Sequence, residues 1–123
     1  SMESYQLKSN LVASSDIYKQ CAIASSIDPY SENIRIVSSQ AADELLTISG
    51  VNASFVIFSS GDSFNISARS MGQINVQIIM ETLGGGGHQT MAATQLHDTN
   101  FEAVKNMLME SIDKYFLNKE DRS

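Results

Sequence analysis

Phe55-Val56-Ile57-Phe58-Ser59-Ser60-Gly61-Asp62-Ser63-Phe64-Asn65-Ile66-Ser67-Ala68-Arg69-Ser70 holds two strands and the turn between them. Phe55 to Phe58 is apolar at every position, the pattern of a central strand covered on both faces. Gly61-Asp62 is turn chemistry. Beyond it the character alternates. Phe64, Ile66 and Ala68 fall on one face, and Asn65, Ser67 and Arg69 on the other. The stretch predicts a hairpin inside a sheet, with a polar face on its second strand.

Working toward the N-terminus, Gly50 is a helix stop and residues 38–48 read as the helix before it. Ala41, Leu45 and Ile48 share one face there, with Ala42 and Leu46 beside them. Ile34, Ile36 and Val37 read as a short extended stretch, and Asp28-Pro29-Tyr30-Ser31 as a turn. Residues 18–24 form an apolar run that predicts one buried strand. Residues 3–16 are polar and mixed, a lead-in, with Ser1-Met2 as a cloning scar ahead of them.

Working toward the C-terminus, Asn75 caps a helix reaching Leu83, whose Val76, Ile79, Met80 and Leu83 recur at helical spacing. Four glycines end it. Residues 91–96 read as a short strand. Thr99 and Glu102 make a capping box for a last helix, striped by Phe101, Val104, Leu108, Ile112 and Tyr115. Strand–helix–strand, hairpin and flanking helices predict an α/β fold: a mixed β-sheet flanked by helices in a single compact domain. Its expected boundaries are 18–118, with a lead-in at 1–17 and a tail at 119–123.

Composition narrows the function. The 123 residues carry 8 Lys plus Arg against 14 Asp plus Glu, a net charge of −6. An acidic chain suits generic nucleic-acid binding poorly, because such binding neutralises phosphates with Lys and Arg. Any anion must be held by a local site. The one cysteine, Cys21, excludes an internal disulfide and reads as a small buried hydrophobe. Two His and one Cys, without clustered carboxylates near them, make a metal centre hard to build. No apolar run approaches the ~18 to 20 residues a membrane-spanning helix needs.

Two features carry chemistry. Gly84-Gly85-Gly86-Gly87-His88 joins a helix to the next element. Without Cβ atoms, backbone N–H groups can be turned toward one anion to form a nest, with a positive φ expected at Gly85 or Gly86. His88 adds a ring donor. A flexible linker is the plain alternative. In the second feature, Ser67 and Arg69 lie two residues apart on a strand, on one face and ~6.5 to 7 Å apart. A guanidinium fork there suits phosphate, although a solvent-facing Ser and Arg would look the same. His97 beside Asp98 reads as surface. Asp43-Glu44 reads as a solvated helix face rather than a catalytic pair.

Gly84 to His88 with Ala92-Ala93, and Ser67-Ala68-Arg69 upstream, resemble the DHH-associated domain that accompanies DHH phosphoesterases. Residues 39–46 (Ser-Gln-Ala-Ala-Asp-Glu-Leu-Leu) and 74–81 (Ile-Asn-Val-Gln-Ile-Ile-Met-Glu) look most like the bacterial membrane-anchored cyclic-di-AMP phosphodiesterase branch. The resemblance covers residues 18–116. It implies that Ser67, Arg69, the backbone of Gly84, Gly85, Gly86 and Gly87, and His88 contact substrate. It implies no catalytic residue, metal or cofactor in this stretch. Two manganese ions and the attacking water would belong to a separate DHH domain of the same protein. It further implies cyclic di-AMP as substrate and a membrane-anchored parent facing the cytoplasm. This domain itself would not touch the membrane, and a homodimer stays open. Thr94 departs from many members, which carry Gly there. A DHH exonuclease and a non-catalytic nucleotide- or tRNA-binding module are the competing readings, and a polynucleotide tracker would want a basic groove.

Overall fold

Seven consecutive buried residues, Ala53–Ser59, form the strand around which the other elements are laid. The computed structural model describes residues 1–28 and 31–121. Among these the order is α1 (Met2–Ala13), β1 (Asp16–Tyr18), β2 (Cys21–Ser26), α2 (Ile34–Leu45), β3 (Ala53–Ser59), β4 (Ser63–Ser70), α3 (Val76–Glu81), β5 (Gly86–Gly87), β6 (Met91–His97) and α4 (Phe101–Asp121). The strands make one mixed sheet in the order β1-β2-β3-β4-β6-β5. Only β2 and β3 pair in parallel, joined across α2; the other pairs are antiparallel. The α/β architecture is as the sequence predicts.

Strand alternation splits the interior into two cores. Ile23, Phe55, Ile57, Ile66 and Ala68 face α3 and α4, meeting Val76, Ile79, Val104, Leu108 and Ile112. Ala22, Ala24, Val56 and Phe58 face α1 and α2, meeting Leu11, Val37, Ala41 and Leu45. The striped final helix, the Asn75 cap and the β3–β4 hairpin are as read. The Asn75 side chain accepts from the N–H groups of Gln77 and Ile78.

Four local readings are corrected. The run at 18–24 is not one strand but a hairpin. Lys19 (φ 48°) and Gln20 (φ 67°) both turn left-handed between β1 and β2, the two-residue turn whose twist matches a hairpin. Ile34 and Val37 open α2 instead of extending a strand. Ile34, Val37, Ala41 and Leu45 keep helical spacing and are buried, while Ile36 is exposed. The lead-in at 3–16 folds as α1 up to Ala13, buries Leu11 and lies against α2. The cap of α4 is Asn100 rather than Thr99, because its Oδ1 accepts from the Ala103 N–H at 3.0 Å. The turn expected at 28–31 includes residues 29 and 30, which lie outside the described residues.

Candidate functional site

On one side of the sheet α1 lies over β2 and α2 over β3 and part of β4, which leaves the same face of β6 open. Met91, Ala93, Gln95 and His97 are all exposed there, alternating with buried Ala92 and Thr94. Cross-strand partners share a face, so the register fixes what meets on this surface. Ser67 pairs with Ala93, and Ala93 with Gly86. Arg69 pairs with Met91. Met91 then exchanges both backbone bonds with His88, at 2.6 and 3.3 Å. Two ladder rows, with the Ala68–Ala92–Gly87 row between them, thus run Ser67–Ala93–Gly86 and Arg69–Met91–His88 on one face. Strand spacing sets their ends ~10 Å apart.

The glycines enter this arrangement by a route the sequence did not suggest. Positive φ falls at Gly84 (83°) and Gly87 (146°), not at Gly85 or Gly86. The Gly84 N–H donates to the Glu81 carbonyl at 3.1 Å and the Gly85 N–H to Met80 at 2.9 Å. That pairing is a Schellman closure of α3, so both N–H groups are occupied by the helix end. Gly85 then passes tightly along β6, where an added Cβ would meet the Ala93 carbonyl oxygen and, at 2.5 Å, the Thr94 Cβ. A Cβ on Gly87 would stand 2.5 Å from the Ala92 Cα. A Cβ on Gly86 would meet nothing within 4 Å. His88 bonds to Met91, so alternation along the ladder turns the Gly87 N–H outward from the sheet edge. The run is an edge strand packed on β6 rather than a nest of four converging amides.

Arg69 is largely buried, with 11% of its side chain exposed. One guanidinium nitrogen, Nη1, donates to the Ala68 carbonyl at 2.9 Å. Its Nε lies 3.4 Å from Asp43 Oδ1, an ion pair without hydrogen-bond geometry, so Nε stays buried and without a hydrogen-bond partner. Ser67 is 7% exposed. Buried donors are normally satisfied, so the unpaired Arg69 Nε, with Ser67 on the same face of β4, suits an added acceptor. Thr94 donates its hydroxyl to the Leu83 carbonyl at 2.8 Å, fixing the end of α3 against β6.

Asp43, read from sequence as part of a solvated helix face, is indeed exposed, but its pairing with Arg69 was not legible there. Its partner lies on another element, 26 positions away, and no spacing rule links the two. The structure supplies the link. Ser54, the ladder partner of Arg69, donates its hydroxyl to the Ala42 carbonyl at 2.6 Å, which pins α2 over that row. His97 ends β6 exposed and joins no cluster. No group of three or more His, Cys, Asp or Glu able to hold a metal occurs among the described residues. No helix among them is long and apolar enough to cross a membrane.

The sequence model of the DHHA1 domain matches residues 20–116. The chain is 46% identical over 110 residues to cyclic-di-AMP phosphodiesterase PdeA of Listeria monocytogenes, covering 89% of this chain and 17% of that protein. It is 54% identical over 83 residues to cyclic-di-AMP phosphodiesterase GdpP of Geobacillus thermodenitrificans, covering 67% of this chain and 13% of that protein. It therefore spans less than a fifth of either relative. Among solved structures, an exopolyphosphatase-related protein from Bacteroides fragilis superposes with a TM-score of 0.82 at 19% identity, covering 94% of this chain and 35% of that one.

Proposed function

Because the chain belongs to the DHHA1 domain family, we propose that it is the substrate-gripping domain of a cyclic-di-AMP phosphodiesterase. Ser67, Arg69, Gly86, Gly87 and His88 hold a nucleotide phosphate on the open face of β4, β6 and β5. Gly84 and Gly85 shape the strand that presents them. The observation that carries this reading is the glycine run. The fold itself requires Gly84, Gly85 and Gly87, by left-handed φ or by close approach to β6. Among the described residues nothing lies within 4 Å of a Cβ at Gly86, which lies in the Ser67 row. A glycine without a structural demand, in the ladder row of Ser67 and on the face that holds the unpaired Arg69 Nε, fits backbone approach by a ligand.

The domain contributes binding and not bond cleavage. Cleavage by a two-metal route needs a pair of ions ~3.5 to 4 Å apart, and the described residues offer no ligand set for them. In our reading the two manganese ions belong to a DHH domain elsewhere in a membrane-anchored, cytoplasm-facing protein. The domain proper spans residues 18–118 in this reading.

A calorimetric titration tests it. Cyclic di-AMP is expected to bind the purified chain, with short oligonucleotides weaker because the chain is acidic. Arg69→Lys is expected to weaken cyclic di-AMP by about tenfold, since a point charge replaces a bidentate fork. The chain with manganese alone is expected to leave cyclic di-AMP intact by chromatography. Equal affinity of the Lys variant removes Arg69 from the site. Turnover that survives repurification removes the division of labour.

A further inference from the structure

The phosphate face holds a carboxylate as well as a cation. Asp43 lies on α2 with 66% of its side chain exposed, its Oδ1 3.4 Å from Arg69 Nε. Nη1 of Arg69 is turned back onto the Ala68 carbonyl. The edge formed by Nε and Nη2 is therefore the one left for a two-pronged grip on an anion, and Asp43 stands at its mouth. Arg69 is the single Lys or Arg in strands β3 to β6. The fixed charge at this spot thus nearly cancels. Arg35, also on α2, sits over the Phe58 ring at 5.5 Å. Phe58 pairs with Asn65, four ladder rows from the Ser54–Arg69 row.

Resting on the reading of this face as the phosphate site, we propose that Asp43 is a specificity-determining residue. It sets the site to accept a singly charged phosphodiester and to disfavour a doubly charged terminal phosphate. A phosphodiester carries one negative charge, and a phosphate monoester about −1.5 to −2 at pH 7. Repulsion by a fixed carboxylate scales with ligand charge, so the monoester bears nearly twice the penalty. When water cleaves one diester bond of a cyclic dinucleotide, its hydroxyl adds to phosphorus. Its proton goes to the departing ribose oxygen, and a linear dinucleotide with one terminal monoester results. Asp43 therefore favours the substrate over the first product and helps that product leave. Unit charges ~6 Å apart change an equilibrium constant by roughly threefold to a hundredfold between watery and protein-like surroundings. The exposure of Asp43 puts the effect near the low end.

The test is a heteronuclear NMR titration of the 123-residue chain with cyclic di-AMP and with its linear, 5′-phosphorylated counterpart. It reads millimolar as well as micromolar affinities, and the amide spectra report folding. Asp43→Asn is expected to tighten the cyclic ligand by about threefold and the linear one by about tenfold. Asp43→Ser provides a second neutral replacement, and Asp43→Glu should keep the wild-type ratio. Neutral variants that weaken both ligands, or leave their ratio unmoved, overturn the assignment. So does a Glu variant that behaves like the neutral ones. A wild-type chain that binds neither ligand overturns the proposed function instead.

Discussion

A Cβ at Gly85 would run into the Ala93 carbonyl and the Thr94 side chain, while one at Gly86 would enter open space. That contrast separates folding from binding one residue at a time. Gly85→Ala is expected to cost about 1 to 3 kcal/mol, because backbone on β6 must move. Gly86→Ala is expected to change stability by no more than about 0.5 kcal/mol in either direction, while lowering affinity for cyclic di-AMP. Thermal melts and titrations on the two variants check both halves. A flexible tether would instead leave affinity unchanged in each variant and raise both melting temperatures. Cys21 stands at the opposite extreme of exposure. It is fully buried, which pushes its thiol up to about 12, so it acts as core and not as a nucleophile.

Among the elements, the β1–β2 hairpin depends on a contact far along the chain. The Tyr18 hydroxyl and the Lys19 ammonium both donate to Asp113 Oδ1 on α4, at 2.6 and 2.7 Å. The Lys19 bond first, then that from Tyr18, holds the Asp113 carboxyl below its ordinary value of 3.8. A depressed carboxylate contributes stability above its unfolded pKa and loses it as pH falls through the folded one. The bond to Asp113 raises Lys19 above 10.5 and Tyr18 above 10.0, so their contribution is present below those values and fades as pH rises past them. Asp113→Ala should therefore melt slightly below wild type at pH 7. The gap should close as pH drops below about 4. A gap that persists undiminished at pH 2.5 would show that the contact works by packing alone. Because these groups are exposed, salt should also narrow it.

For the whole molecule, the two cores lie on opposite sides of one sheet, and only one side carries the open face. Leu108 on α4 is fully buried against Phe55, Ile57 and Ile66. Leu108→Ala is expected to cost about 2 to 5 kcal/mol by lost burial and a residual cavity. Affinity of the folded fraction should stay unchanged, because the sheet separates Leu108 from Ser67 and Arg69. Denaturant melts and titration at low temperature check this, and a loss of affinity equal to that of Arg69→Lys would show that the faces are coupled. Pattern alone determined much of this molecule. The unbroken apolar run of β3 marked the centre of the sheet. The alternation of β4 separated Ser67 and Arg69 from the core, and the stripe on α4 named its buried face. These are short-range periodicities, set by 2 residues per strand repeat and 3.6 per helical turn. Local pattern failed where a contact at long range overrides it. Ile34 and Val37 look strand-like until the sheet beneath α2 receives them, and residues 3–16 look like linker until Leu11 finds its core. Tertiary structure alone decided three things: that the glycine run lies as an edge strand on β6, which of its members the fold requires, and that Asp43 meets Arg69. Each depends on how distant strands align in register, and register is set by the burial of whole faces rather than by any one segment.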